Sequence, residues 1–173
     1  MTYAVVVVTI FVLALTTPCW WPTDPRLHRL GAAAGGLLLA GLWVSGLYVV
    51  GEQTAPAVRD SALTLLAVAA VVAGGPVTAG LLLALERPGD VAAEVLRGGA
   101  WIGLLERAAV FVCVLSGHPE AVALVVAVKG LGRYPELRSA DAARGAAERF
   151  IAGTLASLLW AGTCALVALR LGS

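Results

Sequence analysis

Residues 61–85 read SALTLLAVAAVVAGGPVTAGLLLAL and contain no Asp, Glu, Lys or Arg. A helix that crosses a bilayer needs about 20 consecutive, mainly apolar residues, so this stretch predicts a transmembrane helix. The whole 173-residue chain is similar in character, with 60% hydrophobic and 13% charged residues, whereas a soluble domain averages about 25% charged residues. This composition excludes a soluble globular protein, a disordered chain and a nucleic-acid-binding protein with a basic face.

Five further apolar segments accompany this one. The six segments are bounded by charged residues, proline or glycine, and they cover residues 4–21, 30–50, 61–85, 99–116, 120–134 and 150–169. They predict an all-α transmembrane helical bundle of about six spans, in which residues 1–173 form a single integral membrane domain with no soluble domain. The bilayer is then the first partner of the chain.

The fifth segment is the shortest candidate, because only residues 121–128 are uninterrupted before Lys129. Two interpretations stay open for it. The segment is either a true span whose Lys129 end lies against protein, or a hairpin that enters the membrane and returns. A total of four or five spans is therefore the alternative to six.

The basic residues predict the orientation. If the N-terminus is outside, nine of the twelve Lys and Arg residues fall on the cytoplasmic side, as the positive-inside rule requires. Both termini are then outside, in the cytoplasmic (inner) membrane of a bacterium. The first segment lacks the basic start and the small-residue cleavage site of a signal peptide, so it is expected to remain as a span.

Two sequence features bear on helix packing. Gly74, Gly75 and Pro76 interrupt the third segment, which predicts either a discontinuous helix whose freed backbone binds a substrate or a kinked span satisfied by its neighbours. Small residues also recur four positions apart, and such faces let helices approach closely, within the bundle or towards a homo-oligomer or a membrane-protein partner. These pairs are Gly31 with Gly35, Ala32 with Gly36, Gly99 with Gly103, and Gly153 with Ser157.

Charged residues within the last three segments form the candidate site. If the fourth helix begins at Gly99, Glu106 lies about 10 Å along it, and Lys129 lies about 9 Å from Pro135 on the fifth. The two side chains are thus expected at similar depths on antiparallel neighbours. The full candidate cluster consists of Glu106, Arg107, Lys129, Arg133, Glu148 and Arg149.

Two interpretations of this cluster compete. One is a set of internal salt bridges with arginines that extend to the lipid headgroups. The other is a cytoplasm-facing site for an anion, since ionisable residues inside a membrane commonly mark function and basic pockets bind lipid phosphates. The cluster has two more positive than negative groups, which favours an anion over a cation.

The stretch GAWIGLLER at residues 99–107 resembles a Gly-x-x-Ile-Gly-x-Leu-Glu-Arg block found in an uncharacterised group of bacterial polytopic membrane proteins. The resemblance extends to residue 157, through Lys129, Arg133 and an Ala-Glu stretch that ends in Gly153-Thr154-Leu155-Ala156-Ser157. It implies that Glu106, Arg107, Lys129, Arg133 and Glu148 belong to one site. Arg149 departs from the block, which has an aromatic residue at that position.

Other chemistries have no motif in this sequence. It contains no phosphate-binding loop, dinucleotide fingerprint, HExxH or GxSxG pattern. Cys19, Cys113 and Cys164 are too widely spaced for a metal cluster or a disulfide framework, so no cofactor, metal or catalytic residue is predicted.

The sequence favours a non-enzymatic helix bundle that binds an anionic lipid, a lipid-linked phosphate or a small anionic ligand, as a small transporter or an accessory subunit. The first alternative is an intramembrane enzyme that acts on a lipid-linked substrate through Glu106 and Lys129. The second is a structural subunit of a larger membrane complex.

Overall fold

The computed structural model describes residues 6–10, 13, 41, 55–85, 97–138 and 146–172, and almost all of them are helical. No β-strand occurs within these ranges, so the predicted all-α fold is confirmed for them. The second apolar segment, residues 30–50, lies outside the described residues except for Gly41. The first is described only at residues 6–10 and 13.

Residues 55–85, 97–138 and 146–172 contain five α-helices. Helix α1 (Pro56–Val68), a π-helical turn (Ala69–Ala73) and helix α2 (Gly74–Leu85) follow one another without interruption, and we call these three elements the long rod. Helix α3 (Arg97–Leu115) is joined to helix α4 (Val122–Arg138) by a tight turn and a 3-10 turn (Pro119–Ala121). Helix α5 (Ala146–Gly172) ends the described chain.

Within the described residues, two helical stretches are long and apolar enough to cross a membrane, judged by length and composition. They are Pro56–Leu82, with 27 residues, and Ala147–Gly172, with 26 residues. Each is about 40 Å long at 1.5 Å per residue, which exceeds the thickness of about 30 Å of a bilayer core. They correspond to the third and sixth predicted segments.

Helix α5 is the centre of the bundle, because it packs against the long rod and against α3. The rod contributes mostly alanines to this interface, and small side chains let the backbones approach closely. Trp160 of α5 is the largest fully buried side chain. The core consists of Ala62, Leu66, Ala70, Ala73, Val77, Phe111, Trp160, Cys164, Ala165, Val167, Ala168 and Leu171.

The hairpin of α3 and α4 contains the fifth segment. Its turn requires a left-handed residue, supplied by Gly117 at φ 78°, since glycine adopts positive φ without a steric penalty. Residues 122–138 then form a single helix with no reversal of the chain. This helix is not one of the two stretches long and apolar enough to cross a membrane, so the fifth span and the total of six spans stay predictions. The fifth segment was expected to end before Pro135, but Pro135 lies inside the helix, three residues before its end at Arg138.

Candidate functional site

Arg107 lies at the centre of the bundle, on α3, and only 5% of its surface is exposed. Its Nε donates a hydrogen bond to the backbone carbonyl of Val71 in the π turn at 2.8 Å. Its Nη1 donates to Oγ of Ser157 on α5 at 3.5 Å. The guanidinium therefore joins three elements: the long rod, α3 and α5.

The sequence of the π turn explains why the Val71 carbonyl is available. The Pro76 ring would clash with the carbonyl four residues earlier in a regular α-helix, and the wider π turn at Ala69–Ala73 relieves that clash. Proline has no N–H, so the chain offers one donor fewer to the carbonyls of the preceding turn. Arg107 donates to one carbonyl of this segment, that of Val71.

Two glycines make room for the Arg107 side chain. A Cβ on Gly74 would lie 2.5 Å from Cδ of Arg107 and 2.7 Å from Cδ1 of Trp160, distances that side-chain carbons do not adopt. A Cβ on Gly103 would lie 3.2 Å from Nη1 of Arg107. Gly74 is thus required where the rod and α5 enclose the arginine.

Trp160 satisfies a second carbonyl of the π turn. Its Nε1 donates to the backbone oxygen of Ala69 at 2.9 Å, and the side chain is 0% exposed. A buried carbonyl without a partner is costly, so Trp160 and Arg107 together stabilise the wide turn. This agrees with the interpretation of a span satisfied by its neighbours. The interpretation as a discontinuous, substrate-binding helix is wrong, because the helical structure continues through residues 56–85.

Glu106, next to Arg107, forms an ion pair with Lys129 of α4. The two side chains are 13% and 22% exposed, so the pair is largely shielded. The structure therefore brings Glu106 and Lys129 to the same level of the α3–α4 hairpin, as expected. The pair fixes α4 against α3.

The remaining predicted site residues lie around this centre. Arg133 follows Lys129 by one helical turn on α4 and is half-buried. Glu148 and Arg149 are in the first turns of α5, where Glu148 is exposed and Arg149 is half-buried. These three do not line the cavity described next, so the structure brings together Glu106, Arg107 and Lys129 as its polar centre.

A small cavity lies between α3, α4 and α5. The cavity is partly open, and its volume of about 10 Å³ is the scale of one water molecule. Thr154 Oγ1 is buried there and has no hydrogen-bond partner among the described residues. The lining residues are Glu106, Arg107, Lys129, Thr154 and Ser157, with Val110, Val125, Val126 and Leu158.

Comparisons with known proteins add no family to this geometry. No protein-family model, curated protein or solved structure matches the chain. The resemblance of residues 99–157 to a group of bacterial membrane proteins accordingly stays a prediction. The function of the chain is therefore inferred from its residues and their contacts.

Sequence reasoning did not assign to the site four residues that the structure places at the centre: Gly74 and Trp160 at the turn, and Thr154 and Ser157 at the cavity. Gly74 was named only as part of a helix interruption, and Thr154 and Ser157 only for helix packing or within the resembling stretch. One signal could have found part of this set. Pro76 within an apolar helix leaves a carbonyl without its donor, and an arginine inside the same apolar region is a strong donor that needs acceptors. The sequence thus shows a donor and an acceptor that need partners, although not the helix rotation that brings Arg107 to the turn.

Proposed function

We propose that the chain is a six-span helix bundle of the bacterial cytoplasmic membrane, with both termini outside, that binds an anion at the Arg107 centre. It acts without catalysis, as a small transporter or an accessory subunit. Support for the membrane comes from large apolar side chains exposed on α3, α4 and α5, where Trp101, Leu131 and Leu159 are 73%, 73% and 68% exposed. Broad apolar surfaces of this kind mark contact with lipid or protein.

The burial of Arg107 carries the proposal for an anion. Within the described residues, no carboxylate lies within ion-pair distance of its guanidinium, because Glu106 is paired with Lys129. The hydrogen bonds to Val71 and Ser157 use two of the five N–H donors of the guanidinium. The Glu106 carboxylate is thus shared between two cations, and the excess positive charge in this shielded centre attracts an anion.

The topology is tested by reporter fusions. We expect a periplasm-active reporter fused after Ser173 to be active and a cytoplasmic reporter at the same position to be silent. The expected pattern is reversed after residue 140, in the loop that carries the largest group of basic residues on the predicted cytoplasmic side. If the same reporter were active after residue 140 and after Ser173, the two positions would lie on the same side of the membrane. An odd number of spans between them would then be excluded.

Charge variants test the anion proposal. Glu106, Arg107 and Lys129 together carry one positive charge in excess. Lys129→Gln removes that excess and should weaken anion binding roughly tenfold, equal to about 1.4 kcal/mol. Glu106→Gln should strengthen binding by a similar factor, and the double variant, which restores the original net charge, should return close to the wild type.

The measurement is the rise in unfolding temperature in neutral detergent as anion is added, in two separate arms. One arm compares phosphatidylglycerol with phosphatidylcholine, and the other compares sodium chloride with sodium gluconate. In at least one arm, we expect the rise in unfolding temperature to be largest for Glu106→Gln and smallest for Lys129→Gln. The proposal is overturned if neither arm separates the four proteins. Arg59→Gln, an exposed arginine on α1, serves as the charge control and should behave as the wild type.

A further inference from the structure

The hairpin of α3 and α4 has an outer face that is apolar along most of its length. Glu106, Arg107 and Lys129 are the charged residues within this length, and all three are largely shielded. The outer face therefore presents a broad apolar surface. Its exposed side chains include Trp101, Leu105, Val112, Leu124, Val128 and Leu131.

Two aromatic residues mark one end of this face. Trp101 lies five positions before Glu106. Tyr134 lies five positions after Lys129, the ion-pair partner of Glu106. In an antiparallel hairpin the two aromatic residues are therefore at the same level, and both are exposed. Tryptophan and tyrosine concentrate where the hydrocarbon core meets the headgroups, so this level is one edge of the outer face.

The turn between the helices marks the other end. Residues 116–120 read SGHPE, and Nδ1 of His118 lies 3.2 Å from Oε1 of Glu120, with both side chains exposed. An exposed polar turn has to lie in water or among the headgroups. Residues 116–120 contain no Lys or Arg, so no long basic side chain extends from this turn through hydrocarbon to the headgroups.

The distance between these two ends is short. Trp101 precedes Ser116 by fifteen positions, and Glu120 precedes Tyr134 by fourteen, which gives about 21–22 Å on either helix at 1.5 Å per residue. A bilayer core is about 30 Å thick. An apolar element shorter than the core is accommodated when the bilayer thins, when flanking side chains extend, or when copies of the protein associate. The composition of the turn leaves thinning or association.

Lipid fits the outer face better than a second copy does. Interfaces between membrane helices are enriched in small residues, whereas every exposed position of α3 between 101 and 115 carries a large apolar side chain. These residues are Trp101, Ile102, Leu105, Val112 and Leu115.

We infer that the outer face of the α3–α4 hairpin contacts lipid acyl chains and thins the bilayer beside it to roughly 20 Å. The inference rests on the proposed membrane location and is independent of the anion. Lipids with short acyl chains fit this face best. The long rod and α5 exceed the core thickness, so the membrane around the bundle is thinner on the side of the hairpin.

The first test varies the acyl chains and keeps the headgroup constant. The unfolding temperature is measured in vesicles of dimyristoleoyl-, dioleoyl- and dierucoylphosphatidylcholine, whose chains increase in length in that order. We expect it to be highest in the dimyristoleoyl lipid and lower by about 5 °C or more in the dierucoyl lipid. The long rod and α5 alone predict the reverse order. Equal temperatures or the reverse order overturn the inference.

Two variants assign this preference to the hairpin. The double variant His118→Leu/Glu120→Leu makes the turn apolar and should move the optimum to the dioleoyl lipid. Leu131→Arg shortens the outer face from its other end and should strengthen the preference for the dimyristoleoyl lipid, which gives a result even if the double variant does not fold. Asp60→Leu is the matched control, because Asp60 is an acidic residue of the long rod about as exposed as Glu120, and its optimum should equal that of the wild type. The same optimum in every variant overturns the inference.

A photoreactive residue identifies what covers the outer face. With p-benzoylphenylalanine in place of Val128, irradiation in dioleoyl vesicles should attach phosphatidylcholine to the protein, as measured by mass spectrometry. Attachment to a second copy overturns the inference. The same residue in place of Leu159, which is exposed on α5, separates the two proposals. Lipid attached at Leu159 but not at Val128 overturns this inference alone, and no lipid at either position also contradicts the membrane location.

Discussion

Trp160→Ala is expected to lower the free energy of unfolding by about 3–5 kcal/mol, the range for deletion of a fully buried aromatic side chain. Trp160 packs at the centre of α5 and donates to the carbonyl of Ala69. Its removal leaves a cavity and a carbonyl without a donor at the same time. The effect should be visible as a shift of the unfolding midpoint in mixed micelles, followed by far-ultraviolet circular dichroism.

Trp160→Phe separates the two contributions. It keeps most of the apolar volume and removes the N–H, so the loss should be smaller and dominated by the unsatisfied carbonyl, which costs about 1–3 kcal/mol. Leu159→Ala, at the neighbouring exposed position, is the control and should stay within about 0.5 kcal/mol. Equal stability of Trp160→Phe and the wild type would mean that the bond to Ala69 contributes nothing.

Gly74→Ala is the second change expected to have a large effect. The added methyl group would overlap Cδ of Arg107 and Cδ1 of Trp160, and overpacking of this kind costs about 1–3 kcal/mol. Loss of the bond from Arg107 to Val71 would add to this cost. The measurement is again the free energy of unfolding in mixed micelles.

Gly162→Ala is the matched control, because Gly162 lies in the middle of α5 and a Cβ there meets open space. That variant should gain up to about 1 kcal/mol from helix propensity. The clash also predicts that substitutions at Gly74 and Arg107 are coupled. The effects of substitutions at residues in contact on the free energy of unfolding are not additive. Gly74→Ala should therefore cost less in an Arg107→Ala background, and a full, unchanged cost there would place the strain elsewhere.

Sequence reasoning predicted the features that follow from periodicity. The helical ranges of α3 and α5 and the similar depths of Glu106 and Lys129 depend only on the rise per residue and on an antiparallel hairpin, and the structure agrees with them. Sequence reasoning also grouped three further residues with this pair, namely Arg133, Glu148 and Arg149. That grouping required each helix to be rotated so that these side chains face the pair, and depth alone does not determine the rotation. Those three residues do not line the cavity.

The contacts of the π turn could not be predicted from sequence patterns, for a different reason. Arg107 reaches Val71 across 36 positions of sequence, and Trp160 reaches Ala69 across 91. Such pairs form only when the rotation of three helices is fixed by packing of small side chains, and neither spacing nor hydropathy encodes that rotation.

The π turn also affects how many residues the long rod contains. One wide turn accommodates one residue more than an α-helix of equal length, so the rod contains one extra residue without a break in the helix. Deletion of a single residue within Ala69–Ala73 would remove this extra residue and return the segment to α-helical pitch, with α1 and α2 close to their present faces. It would also bring the Pro76 ring against a carbonyl of the preceding turn and remove the wide turn to which Arg107 and Trp160 donate. The extra residue is consequently tied to the contacts that join the rod to α3 and α5.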